Sequence, residues 1–377
     1  MINRILFILV VFFISCSKQN EDSVVLSSCE KEIAFDIPDD VRIPLVSLFP
    51  FVDNEKDYLS FANHRKNEII IYDVESTELI KRVGLDSEGN NAITGGFGGY
   101  YIIDMNHVFI PSIYMSTIYV TDTTAVVKRQ INYQKAQNGL LLVPFIPSYA
   151  SQMNFIGDSL YIPQILNKTL KEKIVSESPV RAVVDTVSKN IMTLPLKMPS
   201  LITDKDFGTA TASSCDYSNC YDGANFIYAF FFDENIYMTS SKHEVINKKV
   251  AKSRYIDKIE VFKSSESNFQ KMVKLQCEHA SYGQIMFDKY REVYYRFVYP
   301  SADIDDYEGD YVDLLRSGRK AFSIMVLDKQ LKVIGETLFP EYTYNPKLSF
   351  ILEDGLYISL NHIKNPAYSD DLLRFQK

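Results

Sequence analysis

Two short segments of this 377-residue chain share the polar pattern Asn-His-x-Lys-Asn. They read NHRKN at residues 63–67 and NHIKN at residues 361–365. Amide and imidazole groups at this spacing can bind a ligand through hydrogen bonds, and Arg65 adds a positive charge to the first copy. Two histidines with no carboxylate at a fixed spacing are not a metal site, so no metal is expected. The alternative is that Asn and Lys stand here as ordinary turn residues.

No other residues form a pattern that catalysis requires. The sequence has no G-x-S-x-G and no H-E-x-x-H, and its five histidines form no recognisable constellation. The glycines of GGFGGY (95–100) lack the spacing of a phosphate-binding loop. In the acidic stretch at 303–313, Gly309 and the missing closing Glu do not fit a calcium loop, which favours a solvated loop over a cation site. We therefore predict no catalytic residues and no cofactor.

A hairpin pattern recurs six times in the sequence and predicts the strands that position these polar residues. In each copy an Asp-, Asn- or Gly-containing turn joins two segments of β-branched and aromatic residues, which is typical of a β-hairpin. The aromatic residues that follow the turns lie 51 to 76 positions apart and are Tyr58, Phe109, Tyr161, Tyr237, Tyr294 and Tyr357.

A second strand–turn–strand segment follows each of the first five hairpins, as in EIIIYDVESTELIKRVGL and FSIMVLDKQLKVIGETL. A unit of four strands (a, b, c and d) repeated about every sixty residues predicts an all-β fold, a six-bladed β-propeller. The last unit lacks strand d, and an extra strand, EKEIAFDIP, precedes the first unit. We therefore predict that the N-terminal strand completes the last blade, because closing the ring leaves no open sheet edge. A pair of β-sandwiches or a solenoid would not need six copies of one hairpin.

The predicted turns differ in length between the two faces of the ring. The a–b and most c–d turns are short and define a plain face. The longer connections lie on the opposite face, here called the loop face, and include residues 85–99, 132–151, 199–225, 240–254 and 299–320. Since binding residues are common on loops held by a rigid scaffold, a ligand is expected at the loop face. The candidate ligand-binding residues are Asn63, His64, Arg65, Arg296, Asn361 and His362.

The N-terminus predicts export. Arg4 precedes an apolar run from Ile5 to Ile14, which is too short to span a bilayer and is typical of a signal peptide. Ser15 and Cys16 follow, as in a bacterial lipobox, although Phe13 stands where Leu is usual. We expect residues 1–15 to be removed, Cys16 to be lipidated, residues 16–28 to form a flexible tether and residues 29–377 to form one propeller domain. The alternative is an ordinary secretory signal with an incidental cysteine.

Charge and cysteine content restrict the partners. Removal of residues 1–15 takes away Arg4 and leaves 39 basic against 48 acidic residues, a balance that argues against nucleic acid as a partner. Four cysteines remain beyond Cys16, and in an oxidising compartment Cys215 and Cys220 have the spacing for a local disulfide. Buried or free thiols are the alternative. Because strand d starts at the plain face, residue 29 is expected there, with the loop face pointing away from the membrane.

The lipobox, the IIIYDVESTELIKRV unit and the ending LEDGLYISLNHIKNPAYSDDLLRFQK resemble a family of uncharacterised lipoproteins from Bacteroides-type bacteria, similar in shape to TolB-like six-bladed propellers. The resemblance implies an outer-membrane lipoprotein at the cell surface or on the periplasmic face, and it implies no catalytic residues. The sequence thus predicts a non-catalytic binding or scaffold domain for a glycan, a peptide or a partner protein. A hydrolase or lyase working at the channel mouth is the alternative.

Overall fold

Each of the six predicted repeats forms a four-stranded antiparallel sheet, and the six sheets are arranged in a ring. The structure is a computed structural model that describes residues 24–43, 48–164, 178–199, 216–259 and 268–377. The first strands of successive blades contact one another around the axis, as β2 does with both β6 and β22. The prediction of an all-β, six-bladed propeller is confirmed.

Blades 1 to 5 each take four consecutive strands from β2 to β21, and blade 6 combines β22, β23, β24 and β1. In chain order the strands are β1 (Glu32–Asp36), β2 (Leu48–Asp53), β3 (Lys56–Asn63), β4 (Glu68–Asp73), β5 (Leu79–Gly84), β6 (Tyr101–Asp104), β7 (His107–Pro111), β8 (Thr117–Thr121), β9 (Arg129–Asn132), β10 (Asn154–Ile156), β11 (Ser159–Pro163), β12 (Arg181–Asp185), β13 (Ile191–Thr193), β14 (Tyr217–Tyr221), β15 (Phe226–Phe230), β16 (Asn235–Thr239), β17 (Ile246–Val250), β18 (Ser281–Asp288), β19 (Val293–Tyr299), β20 (Ser323–Leu327), β21 (Val333–Leu338), β22 (Asn345–Leu352), β23 (Gly355–Ser359) and β24 (Leu372–Gln376).

The ring closes as predicted, because β1 pairs antiparallel with β24 and supplies the fourth strand of blade 6. The fully buried Phe35 of β1 lies with its ring 5.3 Å from Tyr72 of blade 1 and 6.1 Å from Phe375 of β24. The closing strand therefore contributes to the core on both sides of the junction between the last and first blades.

Among the described residues the hydrophobic core has one cluster between each pair of neighbouring blades, and a further small cluster around Cys277 and Leu314 joins the two helices. The middle strands of a blade are covered on both faces, so a continuous apolar run suits them better than strict alternation. In β4, for example, the four successive residues from Ile69 to Tyr72 are all buried. Aromatic residues fill much of this space, which explains how a chain without Trp can pack a large propeller.

Blade 4 differs from the prediction. The hairpin at Asp233–Asn235, predicted to join strands a and b, joins the second and third strands, β15 and β16. The true inner strand is β14, which is polar where Ser218 and Asn219 approach the preceding blade, and the outer strand is the fully exposed β17 (INKKV). The apolar signal is therefore confined to the middle strands, and the turn at 240–245 lies on the plain face rather than the loop face.

The predicted last strand of blade 4 is also wrong, because Phe269–Glu278 is an α-helix, α1. Asn268 caps this helix by accepting a hydrogen bond from the Lys271 amide at 3.1 Å, and Val273 and Cys277, four residues apart, are buried. A second helix, α2 (Tyr311–Arg316), occupies part of the acidic stretch and is capped by Asp310. Within the described ranges, no helix is long and apolar enough to cross a membrane.

Within the described residues, contacts with the propeller are already present at Val24, before residue 29. The Val24 amide donates to the carbonyl of Ile334 at 2.9 Å, and the Leu26 amide donates to Thr337 Oγ1 at 2.9 Å. This segment lies on the exposed edge of blade 5, where a Cβ on Gly335 would stand 1.9 Å from the Val24 carbonyl oxygen. Residues 24–28, assigned above to the tether, thus cover a sheet edge. Residues 1–23 lie outside the described part.

Candidate functional site

The chain direction places residue 29 at the plain face, as predicted. The Cys29 amide donates to the carbonyl of Lys377 at 2.9 Å, and Lys31 forms an ion pair of 2.6 Å with Asp354 in the a–b turn of blade 6. The helices α1 and α2 and the longer connections lie on the loop face. Any ligand site on the loop face is therefore on the opposite side of the ring from the start of β1.

The predicted binding residues of blade 1 lie at its b–c turn and do not line the cavity at the axis of the loop face. Asn63 is buried and donates to the carbonyl of Asp40 at 3.4 Å and to Glu68 Oε2 at 3.2 Å. His64 is exposed, and its ring lies 5.5 Å from that of Phe97. Desolvation lowers the pKa of His64 although a backbone hydrogen bond to Phe97 opposes this effect. These contacts hold the b–c turn and its neighbouring loop together, and Arg65 is exposed.

The second Asn-His pair is buried and structural. Asn361 donates to the carbonyl of Leu372 at 2.8 Å and accepts a hydrogen bond from the Arg374 amide at 2.8 Å, which fixes the b–c loop of blade 6. His362 Nε2 donates to the carbonyl of Arg319 at 2.7 Å, while its Nδ1 accepts from the Lys364 amide at 3.1 Å. These two bonds define a neutral ring, in agreement with a pKa that burial lowers to about 4.

Arg296 lies between blades 4 and 5, away from the loop-face opening. Its Nη1 donates to the carbonyls of Glu234 at 3.0 Å and Ala251 at 2.9 Å, and the guanidinium lies 3.6 Å from the ring of Tyr282. The side chain is fully buried and joins two blades. The six predicted residues therefore do not meet around one pocket.

The lipidation of Cys16 and the disulfide between Cys215 and Cys220 stay predictions. Cys16 and Cys215 lie outside the described residues. Cys220, on the inner strand β14, is a buried free thiol whose pKa is raised by burial. Cys29 and Cys277 are also free thiols.

The structure instead shows a cavity of about 500 Å³ at the axis of the loop face, here called the loop-face cavity. The elements that enclose it include the connection before β10, the start of β14, the β15–β16 turn, the segment from α1 into β18, the end of α2 and the bulged part of β22. Its aromatic lining includes Phe145, Tyr149, Tyr217, Phe231, Phe232 and Tyr282. Its polar lining includes Asp216, Gln276, His279, Gln284, Arg319 and Lys347.

Tyr149 closes the floor of the loop-face cavity. It also lines a second cavity of about 320 Å³, which lies in the central channel between the inner strands, and so it separates the two spaces. Its ring packs edge-on at 6.5 Å from Phe49 of blade 1, and burial raises the pKa of its hydroxyl. An aromatic side chain thus occupies the channel at this depth.

Two β-bulges aim polar side chains into the cavity. In β18 the register shifts between Tyr282 and Ile285, and Gln284 lies inside this irregular part. In β22 the register shifts between Asn345 and Ser349, around Lys347. Gln284 Nε2 donates to the carbonyl of Pro346 at 2.7 Å and so ties one bulge to the other. Bulges of this kind redirect side chains and are frequent beside binding sites.

Arg319 reaches the cavity from the end of α2 in a left-handed backbone conformation with φ of 67°. The preceding Gly318 has φ of 104° and lies so close to Pro346 that a Cβ would meet the proline Cδ at 2.3 Å. Arg319 Nη1 donates to the carbonyl of His279 at 2.9 Å, and the guanidinium lies 4.7 Å from the ring of Tyr299. His362 donates a hydrogen bond to the Arg319 carbonyl. This predicted residue therefore positions Arg319 without lining the cavity itself.

Three charges interact inside the cavity. Burial and the nearby Arg319 guanidinium lower the pKa of Lys347 to about 8, and burial raises the pKa of Asp216 to about 6 despite the opposing charge of Lys347. Burial also lowers the pKa of Arg319. Lys347 Nζ donates to the carbonyl of Leu315 at 2.6 Å. Each side chain keeps some surface toward the cavity and is otherwise enclosed by protein. Two basic groups and one acidic group with shifted pKa values in one cavity make it a candidate functional site.

Sequence patterns missed these residues because none of them belongs to a motif. Asp216, Gln284 and Lys347 lie on three different blades and more than 60 positions apart. A partial signal exists in a lysine and a glutamine within otherwise apolar inner strands. Within the described ranges, no group of three or more His, Cys, Asp or Glu residues is arranged to hold a metal ion.

Comparison with solved structures supports the fold and the family. A member of the DUF4221 family from Bacteroides vulgatus superposes with a TM-score of 0.83 at 26% identity, covering 94% of this chain and 98% of that chain. A putative exported protein from Bacteroides fragilis superposes with a TM-score of 0.51 at 11% identity, covering 92% and 94%, which shows the fold alone. Among curated proteins, no sequence matches.

The family resemblance predicted from the sequence is confirmed, while its TolB-like detail and the lipid anchor stay predictions. The family model for the domain of unknown function DUF4221 matches residues 23–338, which is most of the chain and includes five of the six blades. The chain therefore belongs to the DUF4221 family.

Proposed function

We propose that this protein is a non-catalytic binding protein of the outer membrane, anchored by a lipid on Cys16, whose ligand site is the loop-face cavity. The observation that carries this proposal is the convergence of Asp216, Gln284, Arg319 and Lys347, from three blades, on one aromatic-lined space. A concave, largely apolar pocket with a few placed polar groups is the usual form of a ligand site.

The size of the cavity limits how much of a glycan, peptide or protein partner can enter it. A volume of about 500 Å³ accommodates a small molecule or the terminal unit of a glycan or peptide. A folded partner would contact only the rim. The separation of the cavity from the channel by Tyr149 supports a closed binding pocket over a through-channel.

The lipid anchor rests on the sequence of residues 1–16. Several acyl chains on Cys16 give stable attachment, since each buried CH₂ contributes about 0.8 kcal/mol. The first described residue, Val24, lies at the plain-face end of β21, so a tether from Cys16 leaves the ring on the side away from the cavity. The ligand site then faces away from the membrane that carries the anchor.

Occlusion of the cavity tests the binding function. Gln276 of α1 lines the cavity, and Gln270 of the same helix is exposed, so Gln276→Trp fills the space and Gln270→Trp is the matched control. A library of small acids, sugars and peptides is screened by thermal shift. The affinity of each hit is then measured by calorimetry. We expect hits that bind the full-length wild type and Gln270→Trp but not Gln276→Trp. Hits unaffected by Gln276→Trp would place binding elsewhere and contradict the proposal.

A hydrolase or lyase is the second candidate, favoured by one observation. A carboxyl with a pKa of about 6 beside an amine with a pKa of about 8 is suited to general acid–base chemistry. Each confirmed ligand is therefore incubated with wild type and with Asp216→Asn and analysed by mass spectrometry. Turnover by wild type that Asp216→Asn abolishes supports the enzyme, whereas unchanged ligand supports the binding protein.

A further inference from the structure

We infer that the loop-face cavity binds a small organic acid whose carboxylate lies between Lys347 and Arg319 and whose apolar body lies against the aromatic wall. This inference rests on the proposed binding function and specifies the chemical class of the ligand. It is argued from charge, hydrogen-bonding capacity and the orientation of the lining tyrosines.

Among the described residues that line the cavity, the positive and negative charges do not balance. Arg319 and Lys347 are both cations, and Arg319 lies close enough to Lys347 to disfavour the charge of the lysine, while Asp216 supplies one negative charge. One positive charge thus remains in a space largely enclosed by protein. Since uncompensated charge in such surroundings is costly, a monoanion is the ligand that completes the site.

Both cations have hydrogen-bond donors to offer. An ammonium group carries three donors and a guanidinium five. Among the described residues, Lys347 Nζ is held by the carbonyl of Leu315 and Arg319 Nη1 by the carbonyl of His279. The remaining donors can bind a carboxylate, and charge-assisted hydrogen bonds of this kind are the strong ones. The stacking of Arg319 on Tyr299 and its bond to the His279 carbonyl hold the guanidinium in place, and His362 holds the Arg319 backbone carbonyl.

Two tyrosines of the aromatic wall, Tyr217 and Tyr282, have their hydroxyl groups bonded to the protein. The hydroxyl of Tyr217 donates to the carbonyls of Val180 and Gln164, and that of Tyr282 accepts from the Ser253 amide at 3.2 Å. Phe145, Phe231 and Phe232 have no polar atoms in their side chains. This surface suits an aliphatic or aromatic body and gives few partners to the hydroxyls of a neutral sugar.

The test uses two probes of the same shape and different charge, 4-phenylbutanoate and 4-phenylbutanamide, titrated by calorimetry into the full-length chain at pH 7. We expect the acid to bind about tenfold more tightly than the amide, because hydrogen bonds to charged groups are worth more than neutral ones. Lys347→Met removes one cation at nearly constant length and should abolish this preference. Lys347→Arg keeps the charge and should retain most of it.

The control is Lys329→Met, which makes the same charge change on the plain face, where Lys329 pairs with Glu292. It should leave both affinities unchanged. Thermal unfolding of each variant confirms folding. Equal affinity for the acid and the amide in wild type, or an acid preference that survives in Lys347→Met, would overturn the inference.

The same library screen separates this inference from the proposed function. Neutral hits that Gln276→Trp abolishes, with no acids among them, overturn the organic-acid class and retain the binding function. An absence of any hit sensitive to Gln276→Trp contradicts both.

Discussion

At the scale of single residues, the exposed surface of a polar side chain shows whether it can contact a ligand or only the protein. Asn361, His362 and Arg296 are surrounded by protein, and their hydrogen bonds end on backbone groups of neighbouring loops. Asp216 and Lys347 keep surface toward a cavity, and their pKa values are shifted by desolvation. A polar residue type alone does not distinguish these two situations, because both need hydrogen-bond partners.

The raised pKa of Asp216 predicts a pH-dependent cost to folding. The folded pKa of about 6 lies above the ordinary value of 3.8, so the folded state holds its proton more tightly, and stability falls as pH rises from about 4 to about 6. Asp216→Asn removes this cost. We expect the variant to be more stable than wild type by about 3 kcal/mol at pH 7 and nearly equal to it near pH 4, since the shift is about two pKa units and one unit corresponds to about 1.4 kcal/mol.

Urea unfolding at several pH values measures this difference. Asp185→Asn is the control, because Asp185 is an acid in a plain-face turn whose pKa is lowered by backbone hydrogen bonds. That variant should lose stability at pH 7 instead. A pH-independent effect of Asp216→Asn would show that its carboxyl is not desolvated.

His362 predicts the opposite pH dependence. Its folded pKa of about 4 lies below the ordinary value of 6.5, so the unfolded state binds the proton first, and stability is lost as pH falls from about 6.5 to about 4. His362→Gln keeps an N–H group able to reach the Arg319 carbonyl and removes the titration. The acid-induced loss of stability, followed by urea unfolding, should shrink by about 2–3 kcal/mol. An unchanged loss would assign the acid sensitivity to other groups.

At the scale of elements, the strands of a blade differ in how visible they are in the sequence. Middle strands such as β4 and β15 are covered on both faces and are strongly apolar. Inner strands carry polar residues that contact the channel or a neighbouring blade, and outer strands such as β17 face solvent. The strands of blade 4 were misassigned for this reason. The segment of α1 was predicted as a strand because its few apolar residues also fit the alternating pattern of a strand.

The closing strand should carry a large part of the stability of the junction between blades 6 and 1. Phe35→Ala removes a fully buried ring from a cluster that includes Tyr72 and Phe375. We expect a loss of about 3–5 kcal/mol, as for other buried Phe truncations, measured by urea unfolding. Phe269→Ala is the control, because Phe269 is 59% exposed at the start of α1. Similar small losses for both variants would argue against the strand exchange that closes the ring.

Gly335 should determine whether residues 24–28 stay on blade 5. A Cβ at this position would stand 1.9 Å from the Val24 carbonyl oxygen, so Gly335→Ala should displace the segment and leave the propeller folded. Amide hydrogen exchange should then rise at Val24 and Leu26 in particular. Gly84→Ala is the matched control, since Gly84 ends the outer strand of blade 1 and a Cβ there meets nothing within 4 Å. Unchanged exchange in Gly335→Ala would contradict the contact.

At the scale of the whole molecule, the two faces of the ring have different tasks in the proposed function. The plain face carries short turns and the start of the closing strand, and the loop face carries the cavity. A tether attached on one side and a ligand site on the other keep the site accessible from outside. The net charge of −8 of the chain adds repulsion from an anionic membrane surface.

The proposed orientation predicts which face lies nearer to lipid. Tyr114 is 79% exposed on the loop face, and Val187 is 72% exposed in a plain-face turn, so Tyr114→Cys and Val187→Cys provide matched labelling sites. With the lipid-anchored protein in vesicles that contain a headgroup quencher, a fluorophore at Val187→Cys should be quenched more strongly. Cys16→Ser should abolish vesicle association and with it the quenching at both sites. Stronger quenching at Tyr114→Cys would reverse the proposed orientation.

The sequence by itself determined the number of blades, the closure by β1 and the family. These features depend on local turn residues, apolar runs and the number of strands. One misassigned blade does not change them, because the number of four-stranded repeats stays the same. Only the tertiary structure decided where a ligand can bind. Gln284 and Lys347 lie where the registers of two inner strands shift, and Asp216 directly precedes a third inner strand. These residues are far apart in the chain and meet only when the blades are assembled around the axis, and no motif in the sequence links them.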